Sequence, residues 1–286
     1  MATSSLKWAG NKHFVAKHIE RLLKNEFVDL ENLRVMEPFI GSAGLSLYYE
    51  FKNVIANDLY PPLIHYYETI RNEGIGLYEL KSDKSTYLKI REHFNQKVQN
   101  HEYDKELADQ LLYLNRTGFN GLMRTNLKGE INTPCGDFNE FPEWVIDVAN
   151  NHKPIIDTWE FHTGCFTVLP RTKPIDFLYL DPPYAGKKMF TTYAGRKFTA
   201  EMQDKVIEFA EGFPSTTRVM ISNSTFDYEL LKKYKRAGYK LYVIKVPRTI
   251  SAKVSSRKPV DEVIAIKNFQ TKRVATLCER LSYLKI

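Results

Sequence analysis

The chain has 286 residues, 43% of them hydrophobic, and carries a net charge of +7 with a pI near 9.0. That suits one large domain, or one domain with an insertion. A mean hydropathy of -0.39 without a long apolar run excludes a membrane-spanning helix, and Met1–Lys7 lacks the apolar centre of a signal peptide, so a cytoplasmic location is expected. Three cysteines, Cys135, Cys165 and Cys278, are too few and too far apart for a disulfide framework or a zinc site, and no cluster of His, Cys and acids points to a metal.

In chain order, Arg34-Val35-Met36 reads as a short strand leading into Glu37. A Gly-containing turn follows, then a helix from about Leu45 to Phe51. Val54-Ile55-Ala56 is a second strand that ends at Asn57-Asp58. Strand, turn, helix and strand with a terminal acid form the front half of a nucleotide-binding α/β unit. Residues 61–114 are rich in Lys, Glu and Tyr and read as helical. Residues 115–141, rich in Asn, Gly, Thr and Phe, read as loops with a hairpin. Strands return at Phe166–Leu169, Phe177–Leu180 and Val219–Ser222, with a helix from Ala200 to Glu211. Leu241–Val246 and Glu262–Ile266 close the chain as two strands joined by a basic loop. An α/β domain of residues 1–59 and 142–286 is thus interrupted by a mostly helical insertion, 60–141.

The string Asp181-Pro182-Pro183-Tyr184 follows the apolar run Ile175–Leu180. It therefore falls at the carboxyl end of a buried strand, where ligands bind in open α/β sheets. Each residue has a use if the substrate is a planar base with an amino group. Asp181 accepts a hydrogen bond from one amino hydrogen, and the carbonyl of Pro182 accepts from the other. The two prolines fix the turn without a competing N–H, and Tyr184 offers a ring face for stacking. The plainer alternative is a strand that ends in a Pro-rich turn.

Glu37–Gly44, with Phe39 and Gly41, is a strand-to-helix turn where glycine permits close approach of a cofactor. It is not the G-x-G-x-x-G of dinucleotide enzymes, which disfavours pyrophosphate. Asp58 suits a ribose diol or adenosine group, or else the start of the following helix. Arg116–Gly129 contains no acid. Within it Arg124 has the paired donors for guanine, Leu122 (with Pro134 beyond) can meet a thymine methyl, and Phe119 or Asn120 can fill the gap a flipped base leaves. The same composition also suits a surface loop with one buried Phe. Four windows, 1–19, 111–129, 185–200 and 242–260, lack Asp and Glu and hold fifteen of the 41 Lys and Arg. They adjoin these motifs and imply attraction to a phosphate backbone. In the last of them Arg248, Lys253, Arg257 and Lys258 are expected to meet phosphates.

Taken together, Lys7–Lys12, Glu37–Gly41, Asn57-Asp58, Leu114–Leu122, Asp181–Tyr184 and Val260–Glu262 resemble, in that order, the DNA adenine-N6 methyltransferases of the Dam type. The resemblance covers most of the chain. It implies a Rossmann-like seven-stranded methyltransferase sheet with an inserted target-recognition domain. It implies S-adenosylmethionine as cofactor, S-adenosylhomocysteine as product and no metal. It adds Trp8, stacking near the cofactor, and Lys12, meeting its carboxylate. It also implies that Lys7, Leu122, Arg124 and Pro134 read a GATC site in double-stranded DNA. Ala43-Gly44, Phe119 and Asp137-Phe138 depart from the family's usual residues. The expected enzyme is a site-specific DNA adenine-N6 methyltransferase, a monomer, with a cognate restriction endonuclease as a candidate partner. The alternatives are the same chemistry on another DNA, an RNA or a protein amide, which would more often carry Asn at 181, or a DNA-binding relative without catalysis.

Overall fold

The computed structural model describes residues 1–137, 140–184, 192–193, 196–246, 259–270 and 282–283. In chain order the elements begin with α1 (His13–Glu26), β1 (Arg34–Glu37), α2 (Gly44–Tyr49) and β2 (Asn53–Asp58). Between β2 and β3 (Glu160–Thr163) run α3 (Pro61–Asn72), α4 (Lys84–Asn100), α5 (Lys105–Thr117), α6 (Trp144–Asn150) and α7 (Lys153–Ile156). Then follow β4 (Phe177–Leu180), the short pair β5 (Thr192–Tyr193) and β6 (Arg196–Lys197), and α8 (Ala200–Glu211). The chain ends with β7 (Arg218–Ser224), α9 (Tyr228–Arg236), β8 (Lys240–Val246), β9 (Val260–Lys267) and β10 (Ser282–Tyr283).

The main sheet has the order β10-β8-β9-β7-β4-β1-β2-β3. Seven strands make up the mixed α/β sheet, and the two-residue β10 adds an edge. Strands β7, β4, β1, β2 and β3 are parallel, while β9 runs antiparallel to β7 and β8. Alternation along the strands splits the core into two. Val35, Val54, Phe177, Tyr179 and Met220 face one side, and Met36, Ile55, Leu178, Leu180 and Ile221 face the other. A parallel sheet needs both faces covered, which explains the unbroken apolar run of β4. On one side α1 presents the stripe Val15, Ala16, Ile19, Leu22 and Leu23. On the other lie Val206 and Phe209 of α8 with Leu231 and Tyr234 of α9.

Chain order reverses between β1 and β4, since β2 and β3 lie to one side of β1 and β4 to the other. The crevice beyond the carboxyl ends of those two strands is the binding position of such a sheet. Asp83 starts α4 by accepting from the N–H of Ser85 and Thr86, and Asp104 starts α5 by accepting from Leu107. The bridges Gly118↔Cys135 and Thr125↔Ile131 fold residues 118–135 back as a hairpin.

Two expectations need correction. Phe166–Leu169 is not a strand: Phe166–Val168 is a single tight turn. Phe166 and Leu169 are buried while Val168 is exposed, a three-residue spacing that one helical turn satisfies and a strand does not. The strand beside β2 is instead Glu160–Thr163, whose polar sequence fits an edge position. Asn115–Thr117, read as loop, complete α5.

Candidate active site

Strand β4 ends at Leu180 because Pro182 and Pro183 lack the N–H that would continue the ladder. Asp181 stands just past that end. Glu37 ends β1, Asp58 ends β2, and Glu262 lies opposite Ser224 at the end of β7 because β9 runs the other way. Four acids from four strands therefore gather at one edge of the sheet.

Lys12, just before α1, is the cation beside two of them, Asp181 and Glu262. It is 6% exposed, and its Nζ donates to the carbonyl of Gly10 at 2.8 Å and to the Tyr184 hydroxyl at 3.1 Å. It lies 3.1 Å from Asp181 Oδ1 and 3.7 Å from Glu262 Oε2. Burial works against the Lys12 ammonium, but Asp181 and Glu262 outweigh it and hold its pKa above the ordinary lysine value. Burial raises the Asp181 pKa, Lys12 opposes the rise, and the Glu262 charge adds to it. Glu37 accepts from the Ser46 hydroxyl, and burial pushes its pKa up to about 8.

The loop after β1 is shaped by two glycines. Gly41 has φ +47°, and a Cβ there would stand 2.9 Å from Trp8 Nε1, so the indole lies flush against this backbone. A Cβ on Gly44 would stand 2.3 Å from Asn11 Oδ1. Asp58 Oδ2 accepts from the N–H of Gly41 at 3.1 Å and Oδ1 from that of Tyr60 at 3.0 Å. One carboxylate thus ties the loop after β1 to the start of α3.

A cleft of about 1200 Å³ joins these parts. Trp8, Lys12, Glu37, Phe39, Gly41 and Asp58 line it together with Asp181–Tyr184. Leu122 and Arg124 of the hairpin also line it. Arg124 is exposed; its Nε donates to Asn132 Oδ1 at 2.7 Å and its Nη2 to the Asn132 carbonyl at 3.1 Å. Among the described residues, Lys7, Arg116, Phe119, Asn120 and Pro134 do not line the cleft. The backbone of Lys7 bonds the Asn115 side chain in both directions, at 2.8 and 2.7 Å. Phe119 N–H donates to the Pro134 carbonyl at 2.9 Å, and Asn120 has φ +53°. Arg116 is 7% exposed on α5, with its guanidinium 5.2 Å from the Trp144 ring centre. Arg248, Arg257 and Lys258 lie outside the described residues.

Sequence reasoning missed several groups. Cys165, Phe166 and Phe198 line the cleft, and Phe39 packs on Phe166 at 4.9 Å and on Phe198 at 6.0 Å between ring centres. Glu262 was visible only as part of a motif, with no partner to give it a role. Gln203 on α8 donates to the Pro183 carbonyl at 2.8 Å and accepts from Asn223 at 3.1 Å. Nothing in an isolated Gln signals such a contact.

A family model described as "D12 class N6 adenine-specific DNA methyltransferase" matches residues 8–250. The chain belongs to that family. It is similar to the DNA adenine methylase of Vibrio cholerae, with 32% identity over 275 residues, 91% of this chain and 94% of that protein. The DNA adenine methylase of Escherichia coli K12 is 32% identical over 277 residues, with the same coverage. The Type II methyltransferase M.MjaIII of Methanocaldococcus jannaschii is 28% identical over 288 residues, 92% of this chain and 98% of that one. This D12-class enzyme methylates DNA adenine at N6. Among the described residues no group of three or more His, Cys, Asp or Glu is placed to hold a metal ion, and no helix is long and apolar enough to cross a membrane.

Proposed function

We propose that this DNA adenine methyltransferase takes its methyl group from S-adenosylmethionine, releases S-adenosylhomocysteine, and acts as a monomer on the adenine of GATC after that base leaves the stack. The observation that carries the reading is the shared cleft: the Asp181–Tyr184 turn, the Gly41 loop with Asp58, and Arg124 with Leu122 open into one space. Its volume exceeds the upper end of about 1,000 Å³ usual for a single small ligand, consistent with a cofactor plus a base.

The residues present fit that cofactor. Phe39, Phe166 and Phe198 offer an apolar aromatic wall for an adenine ring. Asp58, a carboxylate at the end of β2 that lines the cleft beside the Gly41 loop, suits a ribose diol. Lys12 suits a carboxylate; its Nζ donates to the Gly10 carbonyl and the Tyr184 hydroxyl and stands 3.1 Å from Asp181 Oδ1, so such a contact competes with these.

S-adenosylmethionine supplies an electrophilic methyl whose leaving group is a neutral thioether, so no general acid is required. The adenine amine is a poor nucleophile because its lone pair is delocalised into the ring. Asp181 and the Pro182 carbonyl accept its two hydrogens and localise that pair. Gln203 engages the Pro183 carbonyl and leaves that of Pro182 without a partner among the described residues. Asp181 also favours the positive charge that develops on nitrogen, and Tyr184 stacks on the base.

Residues 60–141 form the target-recognition part, and 1–59 with 142–286 the catalytic part. Among the described residues Arg124 Nη1 and one hydrogen of Nη2 remain for a guanine edge, while Nε and the other are held by Asn132. Leu122 and Pro134 meet thymine methyls, Phe119 or Asn120 fills the flipped-base gap, and Lys7 adds a base contact. The test is methyl transfer from labelled S-adenosylmethionine to matched duplexes holding GATC, GATT or neither. Incorporation confined to GATC and lost in Asp181→Ala is expected. Incorporation at other sites would overturn the readout assigned to Arg124 and Leu122, and normal turnover by Asp181→Ala would overturn the chemistry.

A further inference from the structure

Four side chains of α4, each four residues after the last, bond the hairpin that carries Arg124, and every bond goes to its backbone. The Tyr87 hydroxyl donates to the Thr133 carbonyl at 3.1 Å, and Arg91 Nη1 donates to the same carbonyl at 2.8 Å. Asn95 Nδ2 donates to the Ile131 carbonyl at 3.0 Å, and Asn95 Oδ1 accepts from the Ile131 N–H at 2.8 Å. Gln99 Nε2 donates to the Lys128 carbonyl at 3.0 Å.

The spacing has a geometric basis. Four helical residues rise about 6 Å and return to nearly the same face. Two extended residues rise about 6.7 Å. The step from Arg91 to Asn95 therefore matches alternate residues of an extended chain, Thr133 and Ile131, while Tyr87 shares the Thr133 carbonyl and Gln99 reaches Lys128. Asn95 pairs with Ile131 as a neighbouring strand would, with one donor and one acceptor.

The far side of the same segment holds Arg124. The Arg124 N–H donates to Thr133 Oγ1 at 3.2 Å, and Thr133 Oγ1 donates to the Leu122 carbonyl at 2.8 Å. Asn132 fixes the guanidinium with its side chain and its carbonyl. Residues 131–133 are thus clamped between α4 and Arg124.

We propose that the α4 stripe Arg91, Asn95 and Gln99 sets the fidelity of target readout without touching DNA. These are positioning residues: they hold the strand that aims Arg124 and Leu122 into the cleft. Because they read backbone alone, the hairpin's own side chains are left for bases. The inference rests on the guanine-reading role proposed above for Arg124.

The experiment compares kcat/KM on GATC with kcat/KM on GATT, in which the guanine opposite the last base is lost. The ratio is internal to each preparation, so a variant that is partly unfolded lowers both values and leaves it unchanged. Asn95→Ala is expected to lower the ratio about tenfold, within what one bidentate arginine–guanine pair supplies. Gln99→Ala, at the exposed end of the stripe, lowers it less. In the double variant Asn95→Ala with Arg124→Ala, the ratio is expected to equal that of Arg124→Ala alone, because the two act through one contact. Additive losses, or a wild-type ratio retained by Asn95→Ala, would overturn the proposal. A wild-type enzyme that does not separate GATC from GATT would instead fell the reading of Arg124, and this inference with it.

Discussion

A carboxyl taken out of water without a cation beside it holds its proton more tightly, and Glu37 is placed that way. It is 3% exposed, with the Ser46 hydroxyl as its hydrogen-bond donor, and its pKa is pushed up to about 8. In the unfolded chain the same group ionises near pH 4.5. Between those values the native state keeps a proton that the unfolded state has lost. Stability from this group is therefore full below about pH 4.5 and declines as pH rises toward 8, with a slope of about 1.4 kcal/mol per pH unit where the difference is a whole proton. Glu37→Gln retains an acceptor for Ser46 and removes the titration. It is expected to flatten the fall in urea-unfolding stability between pH 5.5 and 7.5 by roughly that slope, in protein without ligand. The same slope in both proteins would show that Glu37 ionises freely in the native state.

At the scale of elements, the turn after β4 is tied to its neighbours by two side-chain amides. Gln203 of α8 is 2% exposed and joins the Pro183 carbonyl to Asn223 of β7, which also donates to the Tyr234 hydroxyl of α9 at 3.0 Å. Gln203→Ala strands a half-buried carbonyl and weakens the satisfaction of a buried donor, at a cost of about 1–3 kcal/mol. A lower urea midpoint with an unchanged m value is expected, with kcat falling more than KM for DNA changes, because the acceptors on Asp181 and Pro182 lose their support. Full kcat in this variant would mean the turn is held without α8. What the sequence makes legible differs between these elements for physical reasons. The apolar run of β4 and the bounds of α8 can be read directly, since burial on both faces and a 3.6-residue period leave plain patterns. Asp181–Tyr184 is legible because rigid residues in that order have few other uses. β3 is hidden by its polar edge composition, and Phe166 misleads because one helical turn resembles a short apolar strand. The α4 stripe is invisible in sequence: Arg91, Asn95 and Gln99 read as a solvated face until the hairpin backbone is seen against them.

Across the whole molecule, the charge of +7 does not act as a uniform coat. Of the cations in the acid-free windows, Lys12 is folded inward onto Asp181 and Glu262, and Arg116 is packed against Trp144. Neither adds to a positive surface in this state, so long-range attraction of DNA falls to the others. The window at 242–260 contains Arg248, Lys253, Arg257 and Lys258 among small polar residues, in a segment whose sequence carries no acid to offset them. Each cation that neutralises a phosphate adds about 0.9 to the slope of log affinity against log salt. Arg257→Ala with Lys258→Ala is therefore expected to lower that slope by about two. Because phosphates are alike in every sequence, binding to GATC and to unrelated duplexes should weaken by the same factor, leaving the ratio between them intact. A salt titration of both duplexes separates this from base readout: an unchanged slope would remove these two cations from the DNA interface, whereas an altered ratio would mean that they read bases rather than backbone.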